Sequence, residues 1–110
     1  MVLEQIGPVR RAAISDTDGT LDVVAAVAGK AIRVLSLFVT GTAAAGTLKF
    51  QSGGTTDLTG AMLFAANGQL NLAFNPCGHF QTAVGEKLNA VGAASIGAIA
   101  GFIVYQEVLG

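Results

Sequence analysis

Cysteine and charge are both scarce in this chain. A single thiol, Cys77, in 110 residues excludes an internal disulfide framework and says nothing of an oxidising compartment. Charged residues make up only 12% of the sequence against 52% hydrophobic ones. Of the six Lys and Arg, only Arg10 and Arg11 are adjacent. A surface that tracks phosphates needs clustered cations, so no nucleic-acid partner is expected. The first eight residues lack a basic start followed by an apolar run, and so do not read as a signal peptide. No stretch combines helical periodicity with a cap at each end.

What remains is a surplus of apolar side chains on a short chain. A length of 110 residues fits one domain, and a domain this small buries only about 60–70% of the surface its unfolded chain exposes. The surplus therefore faces either a partner subunit or a membrane. Residues 88–105 carry no charge and contain Gly97-x-x-x-Gly101, a spacing by which spanning helices pack. Lys87 and Tyr105 stand at the ends of that run as interfacial anchors. Against a spanning helix, the run is dominated by Ala and Gly and includes Asn89 and Ser95. The other apolar run, residues 23–39, is split by Lys30 and Arg33, each costing roughly 2.5–3.5 kcal/mol at a helix centre. A partner subunit is the expected cover, and a small membrane protein is the alternative.

Alternation with a period of two marks strands, because successive side chains leave opposite faces. In residues 47–52, Leu48 and Phe50 oppose Thr47, Lys49 and Gln51. In residues 69–75, Leu70, Leu72 and Phe74 oppose Gln69, Asn71, Ala73 and Asn75. Residues 32–40, 62–66 and 102–108 are apolar on both faces and fit central strands or strands that meet another subunit. Residues 12–16, 21–28 and 87–91 complete the set, with Ala25, Ala26 and Ala28 leaving a short helical turn open near residues 23–30. Between these runs lie Asp18-Gly19, Gly53-Gly54, Asn67-Gly68, Asn75-Pro76 and Gly78, residues that suit tight turns. Asn67-Gly68 predicts a hairpin between residues 61–66 and 69–75. About eight short antiparallel strands predict a single all-β domain over residues 10–110, a β-sandwich of jelly-roll type, preceded by an N-terminal arm of residues 1–9.

Three clusters invite a chemical reading. Ile14-Ser-Asp16-Thr-Asp18-Gly19-Thr20-Leu21 resembles the opening motif of haloacid-dehalogenase-like phosphotransferases, in which the first Asp attacks phosphorus and the second is the acid/base. That family also needs a lysine, a later acidic pair and a parallel sheet wrapped by helices. Here the later acids Asp22, Asp57, Glu86 and Glu107 are dispersed, and a turn at Asp18-Gly19 is the simpler expectation. Asp16, Asp18, Thr20 and Asp22 also alternate like calcium ligands, but the last position of such a loop holds Val27 where a bidentate carboxylate is required. Asn75-Pro-Cys77-Gly-His79-Phe80 brings together the only Cys and the only His. One of each is too few for a structural zinc site, and a Pro/Gly turn returning Phe80 to the core is expected instead. The chain is thus expected to have no catalytic, cofactor-binding or metal-binding residues.

Four stretches carry a family resemblance: Lys30-Ala-Ile-Arg33-Val-Leu-Ser-Leu37; Gly46-Thr-Leu-Lys-Phe50-Gln-Ser-Gly-Gly54; Asn75-Pro-Cys-Gly78-His-Phe80-Gln-Thr82 with Gly85-Glu86-Lys-Leu88; and Gly101-Phe-Ile-Val-Tyr105-Gln-Glu107-Val. Together they resemble the small all-β decoration, or cement, proteins of tailed-bacteriophage heads, over roughly residues 30–108. The resemblance implies a structural virion protein made in the host cytoplasm. Such a protein forms homotrimers on the outer surface of the head and bridges major capsid proteins. A tail, head-fibre or head-closure module is the alternative within the same class. On that reading Val2, Leu3 and Ile6 give the arm an apolar side for a capsid or subunit contact, and residues 32–40 and 102–108 contribute to the core or the subunit seam.

Overall fold

The computed structural model describes residues 8–16, 21–40, 45–65, 67–92 and 98–109. These form β1 (Arg10–Asp16), β2 (Leu21–Val24), β3 (Ala31–Thr40), β4 (Gly46–Ser52), β5 (Thr56–Asp57), β6 (Met62–Phe64), β7 (Gln69–Leu72), β8 (Phe80–Gln81), β9 (Leu88–Gly92) and β10 (Ile99–Val108). No helix occurs among the described residues. One sheet, sheet A, runs β1-β10-β3-β7 with β8 also on β3. The other, sheet B, runs β2-β9-β4-β5 with β6 also on β4. All pairings are antiparallel.

Ten strands fill eight positions, since β5 and β6 share one flank of β4 and β7 and β8 share one flank of β3. Along the chain the eight positions fall in sheets A, B, A, B, B, A, B, A, which is jelly-roll winding. The expected sandwich of about eight strands forms. The parallel, helix-wrapped sheet that the phosphotransferase motif requires does not. β2 ends at Val24, and a turn at Ala28 and Gly29 replaces the helical turn left open there.

One expectation, the hairpin at Asn67-Gly68, and one alternative, the spanning helix, fail for physical reasons. Asn67 takes a positive φ of 59°, and the Gly68 amide donates to the Ala65 carbonyl at 2.8 Å, so the turn is real. Yet β6 before it pairs with β4 and β7 after it pairs with β3. The turn carries the chain from one sheet to the other and closes no hairpin. Gly53 and Gly54 do turn a hairpin, with Gln51 opposite Asp57. Residues 88–105 are not a spanning helix either: their two ends are β9 in sheet B and the greater part of β10 in sheet A. Among the described residues no helix is long and apolar enough to cross a membrane.

The core follows the alternation. Ile14, Leu37, Val39 and Ile103 of sheet A meet Val23, Leu48, Phe50, Leu88 and Ala90 of sheet B. The buried Phe50 ring and the half-buried Phe80 ring lie 5.5 Å apart at 32°, joining the sheets in a tilted contact worth more than its buried area alone. β3 and β10, the two-faced apolar strands, pair along most of their length. Between Val104 and Tyr105 the register slips, leaving Leu35 without an opposite residue, a bulge that bends the strand. Gly101 also sits in this pairing, opposite Val39, with φ +152°. A Cβ there would run into the Phe38 carbonyl oxygen and stand 3.0 Å from Val39 Cα.

Candidate assembly interface

The two outward faces of the sandwich differ in chemistry along their central rows, although Leu63 of β6, 87% exposed, also stands outward on sheet B. On sheet B, Asp22, Asn89, Gln51 and Asp57 stand in one row across β2, β9, β4 and β5. Gln51 Nε2 donates to Asp57 Oδ1 at 2.8 Å, and Asn89 Nδ2 donates to Gln51 Oε1 at 3.5 Å. Because a carboxylate only accepts, the Asp57 contact fixes the Gln51 amide and, through it, that of Asn89. Lys49 Nζ lies 3.2 Å from Asp57 and Lys87 Nζ lies 2.9 Å from Asp22. Both acids are thus matched by lysines on the same face. Asn89 Oδ1 is buried without a partner among the described residues.

The Gln51 amide, and then Lys49, hold the Asp57 carboxyl below the ordinary aspartate range. A lowered folded-state pKa contributes stability that is present above the unfolded value and lost as pH falls through the folded one. The urea midpoint of Asp57→Asn should therefore lie below that of the wild type at neutral pH. The gap should close only on acidification through and below the ordinary aspartate range. A gap unchanged at the acidic end would remove the carboxylate from the account.

Sheet A presents the opposite character. Its central outward row is Ala13, Phe102, Phe38 and Asn71 across β1, β10, β3 and β7. On one side lie Ser15, Ala100, Thr40 and Gln69, and on the other Arg11, Val104 and Ser36. Arg11 is the only charged side chain in these three rows. Phe102 is 39% exposed, and its ring centroid is 6.1 Å from that of Phe38. The two-faced strands thus turn one apolar face to the core and leave the other at the surface. An exposed aromatic ring beside a half-buried one, with small neighbours, is a protein-contact signature.

A second apolar feature lies at the β7 edge of the same sheet. Residues 73–79 leave β7, round the Leu35 bulge and return as β8. Phe74, 58% exposed, projects from this loop with Ala73, Pro76 and Cys77 also exposed. Its backbone is held on both sides. The Ala73 carbonyl meets His79 Nε2 at 2.7 Å, and the Asn75 amide donates to the Leu35 carbonyl at 2.8 Å. The Cys77 amide donates to Asn75 Oδ1 at 2.9 Å, and the His79 amide donates to the Val34 carbonyl at 2.8 Å.

The described residues among the other sequence candidates take part in local structure. Facing a carbonyl, His79 Nε2 must carry its proton, so that nitrogen braces the turn. Phe80 returns to the core as expected. Asp16 ends β1 and Asp22 pairs with Lys87, while Asp18 and Thr20 lie outside the described residues. The buried Ser52 hydroxyl donates to Glu86 and accepts from the Ala83 amide. Those bonds tie the segment between β8 and β9 across the end of the sandwich. No group of three or more His, Cys, Asp or Glu among the described residues is placed to hold a metal ion. Val2, Leu3 and Ile6, the expected contact residues of the arm, also lie outside the described residues.

No protein-family model matches the chain, and no curated protein matches it. Among solved structures, the fold is similar to that of a chain from the virus-like particle of giant freshwater prawn Macrobrachium rosenbergii extra small virus. The two are 10% identical, with a TM-score of 0.38 over 90% of this chain and 78% of that one.

Proposed function

We propose that this protein is a structural virion subunit without enzymatic activity or cofactor. In this reading it is a decoration (cement) protein that forms trimers on the outer surface of a phage head and bridges major capsid proteins. The observation that carries the proposal is the outward Ala13–Phe102–Phe38 row, an apolar face that a solitary soluble domain would leave wet. The sequence resemblance over residues 30–108 gives the face its setting. A subunit that binds only the assembled shell stabilises that shell by mass action, and closure into a ring hides the apolar faces. Val2, Leu3 and Ile6 supply an additional capsid or subunit contact in this reading.

The test is mass in solution followed by binding to purified capsids from the particle whose genome encodes the chain. Three copies of an 11.0 kDa chain are expected to elute together and co-sediment with heads. The double variant Phe38→Ser, Phe102→Ser should shift the wild-type assembly to the single-chain mass at micromolar concentration. A monomer indifferent to heads would end the proposal, and attachment to tails instead would transfer the chain to another virion module.

A further inference from the structure

We infer that one end of the sandwich meets the shell, the end where segments 25–30, 53–55 and 82–87 come together with Leu109. Its partner there is an uncharged patch on the outer surface of the major capsid protein. This rests on the assembly reading above and names the surface that reading leaves open.

Strand register defines the end. Val24, Ser52 and Leu88 stand at one end of sheet B, and Ala31 and Val108 stand at the same end of sheet A. Residues 25–30 cross from sheet B to sheet A, and residues 82–87 cross back. The crossings are fastened to each other and to the Gly53-Gly54 turn. The Gly85 amide donates to the Lys30 carbonyl at 2.7 Å, and the Gly53 amide to the Lys87 carbonyl at 2.9 Å. The Ala83 amide donates to Ser52 Oγ and the Ile32 amide to Thr82 Oγ1, each at 2.9 Å. Loops braced on a rigid scaffold lose little entropy when they dock.

The chemistry of the end suits a buried contact. None of the exposed residues in these segments is charged. Ala25, Ala26 and Ala28 face water from one crossing, Val84 is 51% exposed on the other, and Leu109 is 47% exposed. Lys30 is half-buried, the Glu86 carboxylate accepts from Ser52, and Lys87 pairs with Asp22. The centre of an interface is depleted in charge. Sheet B instead presents Lys49 paired with Asp57, whose desolvation would oppose docking.

The arm selects the same end. β1 runs away from it, with Arg10 opposite Tyr105 and Asp16 opposite Ile99. Residues 1–7 therefore join the chain at Pro8 on the side of this end. Seven residues reach at most about 25 Å, which keeps Val2, Leu3 and Ile6 near whatever the end meets. The end also lies at right angles to the outward face of sheet A. Copies can thus pair through that face while their ends point at one shell. A single end is small beside the about 800 Å² per partner of a stable contact. Three ends held in one trimer compensate, because each raises the effective concentration of the others.

Val84→Glu and Ala26→Glu, made separately, place a carboxylate on this end, and Leu63→Glu places one on sheet B. Each variant is tested for mass in solution, urea midpoint and co-sedimentation with the purified capsids. The two end variants are expected to keep the wild-type mass and midpoint and to bind capsids at least tenfold more weakly. Leu63→Glu should bind as the wild type does. Wild-type binding by both end variants overturns the assignment, as does a loss confined to Leu63→Glu, and in both cases the assembly reading stands. A fall of the end variants to the single-chain mass would give the end to the contact between copies. A lowered urea midpoint would show that the chain's own residues cover it. Either result also overturns the assignment. A wild-type chain that binds no capsid removes the assembly reading as well.

Discussion

Gly101→Ala is expected to destabilise the protein by at least about 3 kcal/mol. The added methyl has nowhere to go: its Cβ would overlap the Phe38 carbonyl oxygen, and Phe38 C would lie only 2.8 Å away. Relief requires parting β10 from β3, the two central strands of sheet A. The φ of +152° adds strain of order 1–3 kcal/mol for an L side chain, and the backbone collision adds overpacking of similar size. Total stabilities of about 5–15 kcal/mol leave little in reserve. Gly85→Ala is the matched control, with φ +80° and nothing within 4 Å of the added carbon. It should cost only about 1 kcal/mol. Urea unfolding of both variants checks the contrast. Equal losses would show that φ alone, and not the Phe38 carbonyl, sets the cost.

Phe50→Ala should lose about 3–5 kcal/mol, the usual range for deleting a buried aromatic ring. Phe50 is 0% exposed and packs across the sandwich against Phe80. Its removal opens a void between sheets that touch mainly through such side chains. Phe50→Leu should recover a good part of the loss because most of the volume returns. Full recovery by leucine would mean that the tilted ring contact contributes nothing beyond size. Calorimetry or urea titration resolves these outcomes.

Local alternation made β4 legible, and the two-faced apolar runs marked β3 and β10 as central strands. Both signals depend on nearest neighbours along the chain. β5 and β8 were not legible because two residues carry no period. β5 is merely the short return of the Gly53-Gly54 hairpin on β4, and the pairing of β8 is set by β3, which is distant in sequence. Asn67-Gly68 specified a chain reversal correctly, but turn chemistry does not say which sheet the next strand joins. Gly101 looked like part of a helix-packing spacing, whereas its conformation answers to the carbonyl of a strand that precedes it by over sixty residues.

The candidate interface was legible in part. Residues 32–40 and 102–108 had too many apolar side chains for a one-sided strand, and that excess is what Phe38, Phe102 and Val104 place outside. Phe74 was assigned to a strand continuing to residue 75. The bulge at Leu35 changes that course by ending β7 at Leu72, and no local pattern announces a bulge. Gln51, which opposes Leu48 and Phe50 in the alternation, reads as solvent-facing, yet it and Asn89 are buried. Their burial depends on being in register with one another across β4 and β9.

Strand order also governs when the molecule can form during synthesis. β9 lies between β2 and β4, and β10 between β1 and β3, so the strands that unite each sheet leave the ribosome after all those they join. Before they emerge, only the flanks of β3 and β4 can be engaged among the described strands, and β1 and β2 have no partner strand among them. Translation at about 5–20 residues per second therefore delivers a nascent polypeptide whose apolar segments wait uncovered until β10 has been made. Chaperone occupancy on the emerging chain should persist through β8 and fall once Val108 clears the exit tunnel.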